Sequence, residues 1–156
     1  MRINRTNFKF FPKRERLSDD YQVYRTREST AIEIASGLVV LMTWVFALMG
    51  IFLHGKNIDT TGVLVIAVQA TVIIPLILFL SYKPSCYNMP KKPTMKQFDL
   101  TVRFLRVVAL LVAFIFLATV LMAAGWTHSE LPIIILSCMI VVMIIIYTIL
   151  YYAARK

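Results

Sequence analysis

Residues 131–152 read LPIIILSCMIVVMIIIYTILYY, and this stretch decides the class of the chain. Between Leu131 and Leu150, thirteen residues are Ile, Leu or Val, and none is Asp, Glu, Lys or Arg. About 20 such residues in an α-helix cross the roughly 30 Å of hydrocarbon in a bilayer. On an insertion scale each contributes about −0.3 to −0.6 kcal/mol, or about −4 to −8 kcal/mol together. That outweighs Ser137 and Thr148, whose hydroxyls can bond back to helix carbonyls. A β-barrel strand would need about 10 residues of alternating polarity, and this run does not alternate.

Working outward, three further runs share these properties: Ile34–Leu53, Gly62–Tyr82 and Val107–Ala124. Their interiors also lack Asp, Glu, Lys and Arg. Of the 156 residues, 59% are hydrophobic, which fits a membrane chain better than a soluble domain. The expected fold is therefore an all-α membrane protein, an antiparallel bundle of four transmembrane helices. Its expected spans are 32–54, 62–82, 95–125 and 130–153, within a domain of residues 31–156. Residues 1–30 form a basic tail, and its "FKFF" at Phe8–Phe11 can dip into the headgroup layer or belong to a partly ordered segment. The polar stretch ahead of the first run has no small-residue cleavage site after that run, so a secretory signal is not expected.

The net charge of +9 is unevenly placed. Eight Lys or Arg precede the first run, six lie between Lys83 and Arg106, and Arg155 and Lys156 end the chain. Only Lys56 falls in either of the other two connections, so sixteen of seventeen basic residues lie on one side of a four-helix arrangement. The positive-inside rule then expects both termini and the middle loop in the cytoplasm of a bacterial inner-membrane protein. Charge that flanks membrane segments in this way gives no reason to expect nucleic acid as a partner. Cys86 falls in the middle loop and Cys138 in the fourth run, so no disulfide is expected.

Few residues offer chemistry. Glu33 stands three after Thr30 at the opening of the first run, the spacing of a capping box. An acid in a first helical turn opposes the positive end of the helix dipole, so Glu33 is expected to start the helix rather than carry protons. Thr94 and Gln97 have the same spacing, which places the start of helix three near Met95. Gln69 is the most polar residue within any run, six before Pro75. The expectation is an interhelical hydrogen bond; a ligand contact beside a kinked helix is the sharper alternative. Arg103 and Arg106 lie three apart where helix three enters the bilayer, and Lys91, Lys92 and Lys96 precede them. These five residues are a candidate contact for anionic lipid headgroups or a partner's carboxylate, and snorkelling anchors would use the same physics.

His54 and His128, with Asp59 and Glu130 near them in sequence, match no metal-ligand spacing, so no metal is expected. Trp126 reads as an interfacial anchor. Small and polar residues recur at helical spacing: Ser36, Thr43, Ala47 and Gly50; Ala109 and Ala113; Ser137, Thr148 and Tyr151. They are expected to form the packing seam. No nucleophile–base pair, phosphate loop or cofactor motif occurs, so no enzyme activity and no cofactor is expected.

The segment FLSYKPSCYNMPKKPTMKQFDLTVRFLRVVALLVAFIF, residues 79–116, resembles part of an uncharacterised bacterial membrane domain that often precedes the SdpI-type immunity domain. The likeness is carried by Lys83, Pro84, Asn88, Pro90, Arg103 and Arg106, and it extends over roughly residues 31–125. The outer loop departs from that family's pattern: it is cut to HGKNIDTTG, without the Ile-Pro or His-Phe-Asn elements. The resemblance implies a membrane protein with immunity or signalling links and no reaction. Together these readings favour a non-enzymatic inner-membrane protein, immunity-related or an accessory subunit, acting by intramembrane contact with a partner or as a homo-oligomer. A small four-helix transporter working as an oligomer is the alternative.

Overall fold

The computed structural model describes residues 27–54, 58–82 and 95–154. It contains four helices: α1 (Arg27–His54), α2 (Thr60–Tyr82), α3 (Met95–Ala123) and α4 (Leu131–Ala153). Each is long and apolar enough to cross a membrane. At about 1.5 Å per residue, even the two 23-residue helices reach about 34 Å, beyond the hydrocarbon thickness. The protein is a multi-pass, all-α membrane bundle, as the hydrophobic runs require. The N-terminal tail, Cys86, Thr94, Lys91 and Lys92 lie outside the described residues, as does the Lys96 side chain.

Consecutive helices run antiparallel, so the bundle has two ends. The charged end holds the starts of α1 and α3 and the finishes of α2 and α4. The closed end holds the two short connections. There α3 stops in a Schellman turn: the Gly125 N–H donates to Met122 O at 3.1 Å and the Trp126 N–H to Leu121 O at 2.9 Å. Gly125 has φ +76°, a backbone conformation that glycine adopts at no steric cost. Pro132 in the first turn of α4 needs no N–H partner, and so restarts a helix readily.

The core is a three-helix arrangement of α1, α2 and α3, in which every pair is in contact; α4 packs against α3 alone. Small residues make the close approaches. Ser36, Thr43, Ala47 and Gly50 are the seam of α1, and Ala109 and Ala113 are buried on α3. The hydroxyls in this seam are satisfied locally, Ser36 on Ile32 O at 2.8 Å and Thr43 on Val39 O at 2.9 Å. Apolar layers centre on Ala47, Val63, Ala67, Val120 and Ala124 near the closed end, and on Val39, Ile74 and Ala113 further along.

On α4 the expected seam is not a seam. Ser137 and Thr148 are exposed, and Thr148 bonds back to Ile144 O at 2.7 Å. No residue of α4 is buried. A helix this rich in Ile and Val loses nothing by facing lipid tails, so hydrophobicity alone does not draw it into the core. It is attached by aromatic and polar contacts near the charged end instead. Tyr147 stacks on Phe104 with centroids 4.2 Å apart, and its hydroxyl shares a 2.8 Å hydrogen bond with Thr101. Gln97, buried on α3, donates to Tyr151 O at 3.4 Å.

Candidate functional site

The only described polar array joining all three core helices lies at the charged end. Each core helix supplies one member: Glu33 from α1, Tyr82 from α2 and Arg106 from α3. The Tyr82 hydroxyl donates to Glu33 Oε1. The Arg106 guanidinium carbon stands 5.1 Å from the centroid of the Tyr82 ring, a cation–π contact. Tyr82 therefore binds an anion through its hydroxyl and a cation through its face.

The capping expectation for Glu33 is corrected by this geometry. Helix α1 is already running at Arg27, so Thr30 is not its cap and Glu33 lies in its second turn. The Thr-x-x-Glu spacing is short enough to occur within a helix, and what Glu33 meets is set by the neighbouring helix. Tyr82 was absent from the sequence expectations, although a signal for it existed. Glu33 lies 21 residues before the end of α1, and Tyr82 lies 22 after the start of α2. In an antiparallel hairpin with a short turn those distances put the two residues at one depth.

Arg103 and Arg106 do not act as a pair. Arg103 is exposed, and its Nε lies 3.0 Å from Asp99 Oδ2, an i,i+4 surface pair of the kind worth about 0.3–0.5 kcal/mol. Arg106 is 3% exposed, and its Nε and Nη2 are buried without a hydrogen-bond partner among the described residues. Positions three apart differ by about 60° around a helix, enough to separate an outer face from an inner one at the edge of an interface. The structure thus divides the two arginines of the five-residue basic cluster between solvent and interior.

Gln69 also departs from expectation. It is exposed on the outer face of α2, and its side chain has no hydrogen bond among the described residues. A second hydrogen bond between α1 and α2 is made two residues further on, where Trp44 Nε1 donates to Thr71 Oγ1 at 2.8 Å. That hydroxyl in turn donates to Ala67 O at 2.9 Å. Pro75 has no N–H to give the Thr71 carbonyl, so this turn of α2 is short of one helix bond.

Beside this link, a groove of about 360 Å³ runs between α1 and α2 toward Glu33 and Tyr82. Gly37, Thr71, Pro75 and Phe79 also line it. A methyl group at Gly37 would meet nothing within 4 Å, so the groove is open on that side. Its wall is apolar with a carboxylate and a phenol at one end, a lining that can take an amphiphile.

At the closed end, His54 packs edge-on against Trp126 with centroids 5.6 Å apart, and His128 is exposed. Among the described residues no three His, Cys, Asp or Glu are grouped to hold a metal. Trp126, expected as an interfacial anchor, is also tied into the bundle: its Nε1 donates to Phe46 O at 3.2 Å. The chain matches no protein-family model, no curated protein and no solved structure.

Proposed function

We propose that this protein is a non-enzymatic subunit of a bacterial inner membrane, with both termini cytoplasmic, that acts by contact with another protein inside the bilayer. One observation carries the reading, the exposed Gln69. It lies nine residues from the start of α2 and thirteen from its end, about 14 and 20 Å along the axis. From there its amide cannot reach either headgroup layer. An amide facing lipid tails forfeits hydrogen bonds that a partner helix would supply, at about 0.6–2 kcal/mol each. Val65, Val68 and Val72 are exposed around it, so the face offers a flat apolar surface with one polar group. An immunity role is the version of this reading suggested by the resemblance of residues 79–116, the partner then being a membrane-active toxin.

The test is photo-crosslinking in intact cells, with a photoreactive residue at position 69 and a control at the lipid-facing Leu41. A discrete protein adduct from position 69, absent from Leu41, is the expected result. Crosslinking to lipid alone at both positions would sink the reading. Transport is a second reading, favoured by the groove that ends on Glu33. Flux of an amphiphilic cation into proteoliposomes, lost in Glu33→Gln, would favour it over the first; equal flux in both proteins would count against it.

A further inference from the structure

We propose that Arg106 is an oxyanion site, whose guanidinium takes the phosphate of an anionic lipid headgroup or a free phosphate of the same chemistry. The inference is independent of the contact made at Gln69. It begins from a deficit. The Arg106 side chain is 3% exposed, and neither Nε nor Nη2 has a hydrogen-bond partner among the described residues. Those two nitrogens lie on one edge of the guanidinium and direct their N–H bonds side by side. That edge is the fork that meets two oxygens of a single phosphate or carboxylate. An arginine whose charge is buried and whose fork is empty is costly, because hydrogen bonds are what normally offset the loss of hydration.

The Tyr82 ring does not cover this deficit. It faces the guanidinium at 5.1 Å from its centroid, and a ring face attracts the charge without accepting in-plane N–H bonds. It does hold the charge beside the ring face, within reach of Tyr82. The tyrosine's other polar group is occupied, since its hydroxyl donates to Glu33. Arg103, one turn earlier, shows the contrast: it is exposed and already has Asp99 at 3.0 Å.

Depth selects phosphate among the oxyanions. Arg106 is the last charged residue before the uncharged run that begins at Val107, and Tyr82 closes the uncharged run of α2. Both therefore stand at the border of the hydrocarbon, where lipid phosphates are the concentrated anion. Sixteen of the seventeen basic residues lie toward the same side, which raises the local concentration of any anion there.

The experiment uses the full-length protein in a neutral detergent, with phosphatidylglycerol, phosphatidylcholine and inorganic phosphate as probes. Native mass spectrometry measures lipid retention; thermal unfolding in phosphate against chloride at equal ionic strength measures the free anion. The parent should retain phosphatidylglycerol over phosphatidylcholine. Arg106→Gln should lower that retention about tenfold, the scale of one lost charge-assisted hydrogen bond, while Arg103→Gln leaves it unchanged. Stabilisation of the parent by phosphate, lost in Arg106→Gln, would identify a site that accepts free phosphate. Lipid selectivity without that stabilisation would identify the headgroup as the source. Arg106→Lys keeps the charge without the fork and covers the case in which Arg106→Gln does not fold; it too should lose retention. The proposal is overturned if the parent shows neither lipid preference nor phosphate stabilisation, or if the foldable Arg106 variants bind as the parent does.

Discussion

The closed end of the core is held by shape, and the charged end by donors and acceptors. At the closed end Gly50 lies against Ala124, and a Cβ built on Gly50 would stand 2.5 Å from the Ala124 Cβ. Phe46 and His54 meet the Trp126 ring edge-on at 5.9 and 5.6 Å, so aromatic packing fills what the small residues leave. At the charged end, Glu33, Tyr82 and Arg106 connect three helices, and Gln97, Thr101 and Tyr147 connect the fourth. The difference follows from the residues each end carries. Apolar side chains gain nothing by leaving lipid tails for one another, so at the closed end close packing, with the Trp126 Nε1–Phe46 O hydrogen bond beside it, distinguishes the folded arrangement. At the charged end the helices themselves carry more polar side chains, which stand near the headgroups without crossing the bilayer and meet each other.

Two alanine substitutions should break the comparison most sharply. Gly50→Ala forces α1 and α3 apart and should cost about 1–3 kcal/mol, the usual range for overpacking. Gly37→Ala is the same chemical change on the same helix, but its methyl meets open space. It should be neutral or stabilise by about 0.5–1 kcal/mol, since glycine is the poorer helix former. Unfolding in mixed micelles measures both, and a loss of similar size at both positions would contradict the division of the core into a shape-held end and an open groove.

A smaller effect is expected at the charged end. Tyr82→Phe keeps the ring under Arg106 and removes only the hydrogen bond to Glu33, a loss of about 1.5 kcal/mol, the low end for a bond to a carboxylate. Arg103→Ala should cost least, about 0.3–0.5 kcal/mol, because its pair with Asp99 is exposed. If Arg103→Ala proved the more damaging of the two, the polar array would not be what ties the helices at this end.

The helices were legible in the sequence because length and apolar content suffice to define a membrane span. The observed ends fall within five residues of the expected ones, and α3 is helical from its first described residue, Met95. The seam of α1 was legible for a related reason, since small residues at helical spacing mark a close approach. What stayed hidden was the direction of single side chains. Glu33 was read through its neighbours in sequence, but its partner Tyr82 lies 49 residues away. Polarity puts Gln69 inside the bundle, yet it lies outside, and polarity alone does not say whether a hydrogen-bond partner belongs to the same chain. Arg103 and Arg106 share a helical edge in sequence, and only the position of α2 determines which of them is covered.

The contrast between the ends has a biological meaning only once their sides of the membrane are known. The proposed function has the charged end in the cytoplasm, an expectation that rests on the sixteen-to-one division of basic residues. Fusions to a reporter active only outside the cytoplasm test this directly. Fusions after Asn57 and Ser129 should be active, and fusions after Lys92 and Lys156 silent. Activity at Lys92 with silence at Asn57 would invert the bundle, and would turn the Glu33–Tyr82–Arg106 array away from the cytoplasm.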